Sequence, residues 1–131
     1  MINAIKVVLD TNILVSALWS TKSNPSKIVN MIPNRLIIPH FCDDIFSEYK
    51  DVLFRPMFNF NHDDVYKLLE LFILFGKTVD VLKSSIALPD ESDRVFYDVA
   101  KESESILITG NIKHFPYEPF IMTPAIFLQS L

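Results

Sequence analysis

Ile5-Lys6-Val7-Val8-Leu9-Asp10-Thr11-Asn12 is an apolar, β-branched run that ends in a carboxylate followed by two short polar residues. A run of this kind reads as a strand buried on both faces. Its end is the informative part. In open α/β sheets the carboxyl edge of the strands opens into the crevice where ligands sit, so a lone acid there is a candidate for chemistry. Asp10, Thr11 and Asn12 are also all good helix caps, because each accepts hydrogen bonds from the free N–H groups of a first turn. From this stretch alone the two readings are balanced; what separates them is whether the situation recurs along the chain.

It does recur. Ile13, Leu14, Ala17 and Leu18 follow at helical spacing, and Ser20 to Pro25 break the pattern before a second short helix, capped by Ser23 or Asn24 and ending near Pro33-Asn34. Leu36-Ile37-Ile38 reads as a second strand stopped by Pro39. Ile45, Phe46, Tyr49, Val52 and Leu53 then mark one face of a third helix. At about 100° per residue Glu48 lies roughly 60–80° from the centre of that face, where a side chain is partly desolvated and can be aimed at a crevice. Asn61 caps a fourth helix that Gly76 ends, and Asp63 and Asp64 suit the positive end of its dipole. Thr78 to Val81 reads as a third strand. A fifth helix buries Val95, Phe96, Val99 and Ala100, with Asp93 in its first turn beside the apolar face and Asp98 directed to solvent. Ser105 to Ile108 form a fourth strand, followed at once by Thr109-Gly110-Asn111. Phe120-Ile121-Met122 gives a short last strand, and Thr123 with Pro124 opens a terminal helix.

Strands alternating with helices predict one mainly parallel sheet covered on both faces, in a single domain over residues 1–131. Helices that follow strands begin at the carboxyl edge, so Asp10, Glu48, Asp93 and Asn111, from four distant segments, can face one crevice. Capping explains each singly but not the shared edge. Clustered carboxylates raise one another's pKa unless cations neutralise them, and oxygen ligands of this kind suit hard cations, Mg²⁺ or Mn²⁺. A bound ion of that type acidifies a water and neutralises charge on a phosphoryl group. The chain has two glycines, Gly76 and Gly110, and no phosphate-cradling loop. The chemistry this predicts is metal-assisted phosphodiester hydrolysis.

Composition bounds the rest. Twelve basic against sixteen acidic residues give a net charge of −4, so any nucleic acid is held by a local patch or by metal ions rather than by bulk attraction. The one cysteine, Cys42, forms no intrachain disulfide and, with His40, supplies two of the four ligands a structural zinc needs; it reads as a small buried side chain. The densest apolar stretch, Leu68 to Phe75, is broken by Glu70 and too short for a bilayer, and the expectation is a soluble, cytoplasmic protein with no membrane contact. Phe54, Met57, Phe58 and Phe60 read as a local core rather than an exposed patch for a partner.

Asp10-Thr11-Asn12 after an apolar strand, Glu48 in Glu48-Tyr49-Lys50-Asp51-Val52-Leu53, Asp93 opening a helix, and Ile106-Leu107-Ile108-Thr109-Gly110-Asn111 resemble, in order and spacing, the motifs of PIN-domain ribonucleases. The likeness is greatest to the prokaryotic branch of toxins from toxin–antitoxin pairs, and it runs from about Ile5 to about Leu128. The resemblance implies a three-layer α/β/α sandwich, dependence on Mg²⁺ or Mn²⁺, cleavage of single-stranded RNA, a homodimer or higher homo-oligomer, and inhibition by a small antitoxin protein. It gives Asp10, Glu48 and Asp93 the places of the family's three principal acids, which hold metal, and Asn111 the place of a fourth that is more often Asp. Asn12, Arg94, Thr109, Lys113 and His114 near the same edge are candidates for holding the RNA. Two other functions fit parts of the pattern: a receiver-like phosphoacceptor signalling domain, which also places an Asp at a strand end, and a non-catalytic binding module on the same fold.

Overall fold

The computed structural model describes residues 3–131. Five strands, β1 (Ile5–Leu9), β2 (Ile37–Phe41), β3 (Lys77–Thr78), β4 (Ile106–Ile108) and β5 (Ile121–Met122), form one sheet in the order β3-β2-β1-β4-β5. Every pairing is parallel. Six helices accompany them: α1 (Thr11–Trp19), α2 (Asn24–Val29), α3 (Asp43–Leu53), α4 (His62–Phe75), α5 (Arg94–Ser103) and α6 (Pro124–Gln129). α5 packs against β1, β2 and β4 and α4 against β2, while α2 packs on both α1 and α6, consistent with the predicted α/β/α sandwich. The receiver-like reading fails here, because flavodoxin-like sheets run 2-1-3-4-5 and this one runs 3-2-1-4-5.

β1 is central because its sequence allows it to be. Val7, Val8 and Leu9 are fully buried, and with side chains alternating across the sheet they supply apolar contacts to both faces. The chain leaves β1 towards β2 and later returns on the other side as β4, so the reversal of strand order falls between β1 and β4. That reversal opens the crevice where α/β sheets bind ligands. The register Leu9 with Ile108 puts Asp10 and Thr109 side by side at its mouth.

Two strand expectations are corrected. Pro39 does not stop β2, which continues to Phe41. The carbonyl of Phe41 accepts from Val79 N–H at 2.8 Å, so Phe41 faces β3, and by the two-residue alternation Pro39 faces the same way. β3 begins pairing only opposite His40, so the missing N–H of Pro39 falls just before the ladder starts and costs no bond. β3 is correspondingly shorter and earlier than Thr78 to Val81: once β2 ends at Phe41, Asp80 and Val81 have no strand to pair with. α2 stops at Val29, and turns carry the chain to β2. Cys42 is half-buried at the N-cap of α3 and makes no capping bond with its thiol.

The acid predicted to face solvent does not. Asp98 is buried and accepts the N–H of Ser84 at 3.0 Å. The segment 79–90 has no helix or strand and lies across α5 as a strap. Arg94 fastens it from the same helix: Nη1 donates to the carbonyl and hydroxyl of Ser84, Nη2 donates to the carbonyl of Ile86, and Nε and Nη2 donate to Glu91. All five guanidinium hydrogens are thereby used.

The phenylalanine cluster is also more open than predicted. Met57 is exposed, and Phe54, Phe58 and Phe60 are half-buried among the exposed rings of Trp19 and Tyr66. No helix of the described residues is long and apolar enough to cross a membrane.

Candidate active site

Asp10, the first candidate acid, caps α1. Its backbone is extended at the N-cap of α1, and Oδ1 accepts the N–H of Thr11 at 2.8 Å. Oδ2 turns towards β4, where it accepts the Thr109 hydroxyl at 2.7 Å and the Asn12 side-chain amide at 3.3 Å. Thr109 is fully buried and its oxygen also accepts the N–H of Asn111 at 3.0 Å. Asn12 closes the other side, its Oδ1 accepting the N–H of Gly110 at 3.0 Å. A Cβ on Gly110 would lie 3.3 Å from that oxygen, so a glycine there lets the two loops meet closely. Thr109 and Asn12 therefore tie the loop after β4 to the one after β1 around a shared carboxylate.

Glu48 reaches the same place from α3. It is half-buried at the margin of the apolar face, and Oε2 accepts the Thr11 hydroxyl. The next residue, Tyr49, is fully buried and donates its hydroxyl to the carbonyl of Leu9 at 2.5 Å. Burial, with the charges of Asp10 and Glu48 nearby, holds that phenol well above its ordinary range, so it remains a donor.

Asp93 is the third acid. It ends a short 3₁₀ turn, Glu91–Asp93, and N-caps α5 without a side-chain capping bond. Its Oδ2 is buried and has no hydrogen-bond partner; His114 Nδ1 stands 3.5 Å away. Burial is the first cause that lifts the carboxyl from 3.8 to about 6, and the charges of Asp10, Asp90 and Glu48 add to it against the opposing effect of His114. Asp10 is raised by burial against the hydrogen bonds it accepts, and Glu48 by burial with a further push from Asp10. Asp93 thus feels the charges of Asp10 and Glu48, and Glu48 feels that of Asp10.

Of the other predicted residues, Asn111 is exposed, and its backbone carbonyl accepts the N–H of His114 at 2.9 Å in a second short 3₁₀ turn, Ile112–His114. Lys113 and His114 are exposed on that turn. Arg94 points instead into the strap, with no hydrogen left for a ligand. Thr11 and Tyr49 are the contributors that sequence reasoning passed over. Thr11 had a signal in its position beside Asp10, whereas the hydroxyl of Tyr49 had none beyond a ring at core spacing.

A divalent cation fits this donor set in kind: three carboxylates, one with a buried oxygen lacking a partner, are hard ligands that repel one another when ionised. No group of three or more His, Cys, Asp or Glu among the described residues is arranged to grip an ion as it stands. Asp10 and Glu48 are instead hydrogen-bonded to Thr11, Asn12 and Thr109.

A parallel sheet of this order with acids gathered at its switch point defines a class, and comparison with known families agrees. The PIN domain model matches residues 6–113, and the chain belongs to the PIN-domain family, whose members are typically nucleases. An uncharacterized protein of Methanocaldococcus jannaschii is similar, 31% identical over 110 residues that make up 82% of this chain and 71% of that protein. No solved structure gives a significant match.

Proposed function

We propose that this protein is a metal-dependent endoribonuclease that hydrolyses phosphodiester bonds of single-stranded RNA and serves as the toxin of a toxin–antitoxin pair. The observation that carries the nuclease reading is the convergence of Asp10, Glu48 and Asp93 at the β1/β4 switch point, each with its carboxyl raised and Asp93 at about 6. Three acids pressed together at a cost to their ionised forms are a place for positive charge. Asp10, Glu48 and Asp93 would hold Mg²⁺ or Mn²⁺, which when bound would supply a more acidic water and neutralise charge on the phosphoryl group.

The chain's own residues supply the rest. Thr109 and Asn12 fix the orientation of Asp10, and Thr11 that of Glu48. Lys113 and His114, exposed beside Asn111, offer a cationic and a hydrogen-bonding contact to the RNA backbone on a chain whose net charge of −4 gives no general attraction for it. The toxin role rests on the likeness of the four motifs to that branch, and it brings a cytoplasmic location, a small antitoxin partner and self-association with it. A binding module without catalysis has no need of three mutually repelling acids.

The test is cleavage of a labelled single-stranded RNA with Mn²⁺, against a duplex control, by wild-type protein and Asp10→Asn. Metal-dependent cleavage lost in the folded variant supports the reading. Equal cleavage by both proteins removes Asp10 from the chemistry. Induced expression of the two proteins in a bacterial host separates the toxin role, since a toxin arrests growth and its Asp10→Asn form does not.

A further inference from the structure

Asp10 is flanked by two bonds to the same helix. The residue before it, Leu9, accepts from Tyr49, and the residue after it, Thr11, donates to Glu48. Glu48 and Tyr49 are themselves adjacent on α3, so the two bonds join two consecutive residues of the helix to the turn that presents Asp10. They differ in kind. The Thr11 bond ends on a carboxylate oxygen, the group a cation would claim, whereas the Tyr49 bond ends on a backbone carbonyl and leaves every acid free.

The carbonyl of Leu9 lacks a strand neighbour on that side. Asp10 N–H donates to the carbonyl of Ile108 at 3.0 Å, so Asp10 faces β4, and by alternation Leu9 faces β2. The β1–β2 register closes with Val7 opposite Pro39, and the chain leaves β2 at Phe41 to begin α3. The Tyr49 hydroxyl stands where the next ladder donor would have been. Packing alone does not ask for it: the ring sits 5.0 Å from Phe72 and 6.3 Å from Phe96, and a phenylalanine would fill that space without a polar atom to desolvate.

We propose that Tyr49 is a positioning residue for the metal site, its hydroxyl fastening α3 to the end of β1 and so setting the spacing between Asp10 and Glu48. This rests on the reading of those acids as metal ligands. In Tyr49→Phe the core is kept and the fastening is lost, so the two carboxylates meet a cation with their separation no longer held.

The experiment is calorimetric titration of Mn²⁺ into wild-type protein, Tyr49→Phe and Phe72→Leu, with melting curves of each in the absence and presence of Mn²⁺. Tyr49→Phe is expected to bind Mn²⁺ roughly tenfold more weakly, the scale on which residues behind metal ligands act, and to lose most of its Mn²⁺-induced rise in melting temperature. Phe72→Leu loosens the packing around the same ring, and it is expected to melt earlier while keeping wild-type Mn²⁺ affinity. Replacing Tyr49 by 4-aminophenylalanine, which restores a donor at the same ring position, is expected to recover the affinity. Wild-type affinity in Tyr49→Phe overturns the proposal, as does an equal loss in Phe72→Leu, which would make the effect one of packing. If Tyr49→Phe does not fold, the 4-aminophenylalanine protein decides, and weak binding there overturns the proposal. Failure of the wild-type protein itself to bind Mn²⁺ or Mg²⁺ instead removes the metal-site reading, and this inference falls with it.

Discussion

Replacing Asp93 by Asn should stabilise the metal-free protein at neutral pH. The carboxyl is held at about 6 against 3.8 outside the fold, and at about 1.4 kcal/mol per decade the ionised form costs about 3 kcal/mol. The side chain keeps 13% of its surface in water, and screening through the crevice reduces the gain to ~1–2 kcal/mol. For a chain of this length that corresponds to a rise in melting temperature of roughly 4–8 °C. The sign follows from proton linkage. A carboxyl whose folded pKa is raised binds its proton more tightly in the native state, so the stability it contributes is complete below pH 3.8 and is lost as pH rises through about 6. Wild-type protein should therefore lose stability relative to Asp93→Asn between pH 4 and pH 6.5, and the two should converge on the acid side.

Comparing the two proteins is essential because groups away from Asp93 also make stability depend on pH. His40 is buried and its pKa is lowered, chiefly by burial, so the stability of its neutral form is present at neutral pH and lost as pH falls, opposite in sign to Asp93. That contribution is common to both proteins and cancels in the difference. Asp93 makes no capping bond with its side chain, so the substitution removes charge without uncapping α5. Urea denaturation at pH 4.0, 5.5 and 7.5 in the presence of a chelator gives the measurement. A pH-independent difference, or a less stable Asp93→Asn at pH 7.5, would refute the argument that Asp93 is strained by burial and by Asp10, Asp90 and Glu48. Saturating Mn²⁺ should reverse the order, since a ligand at about 100 times its dissociation constant adds roughly 2.7 kcal/mol to the protein that binds it.

Arg94→Ala should release the strap over residues 79–90 by removing its bonds to Ser84 and Ile86; a lower urea midpoint and faster proteolysis within the strap are expected, and an unchanged proteolytic pattern would contradict the tethering. Gly76→Ala should cost ~1–3 kcal/mol by urea denaturation, because a Cβ there would lie 2.5 Å from the carbonyl oxygen of Phe72 and 2.8 Å from that of Pro39, and wild-type stability would mean that this corner yields. Asn111→Asp should tighten Mn²⁺ binding in calorimetric titration by adding a fourth carboxylate at the edge, and equal affinities would leave Asn111 as a turn residue alone.

The strand–helix alternation and the carboxyl edge were legible because both are written locally: an apolar run, then a capping residue, then a helical period. Asp10, Glu48 and Asp93 come near enough to feel one another's charge, as expected of segments that begin at one edge of a parallel sheet. What sequence missed lies between elements. On a helical wheel Asp98 sits opposite the core face of α5, and that rule holds only for a helix with one covered side. Here the strap covers the second side through Arg94 and Asp98, and an irregular segment leaves no period to read. The same limit applied to Arg94, which beside Asp93 looked like a cation for RNA and is instead used up on Ser84, Ile86 and Glu91.

Tyr49 shows the limit at the scale of one atom. Its ring obeys the helical period and its place in the core was legible from Ile45, Tyr49 and Leu53. The hydroxyl matters because β2 ends two residues beyond Pro39, leaving the carbonyl of Leu9 without a ladder partner, and nothing in either segment alone says so. Pro39 itself misled for a related reason: whether a proline breaks a strand depends on which neighbour its missing N–H would face, and that is set by where β3 begins pairing, 38 residues later in the register of His40 with Lys77 rather than by the residues around it. The contacts that position the candidate acids are therefore long-range pairings, while the acids themselves sit on short-range patterns.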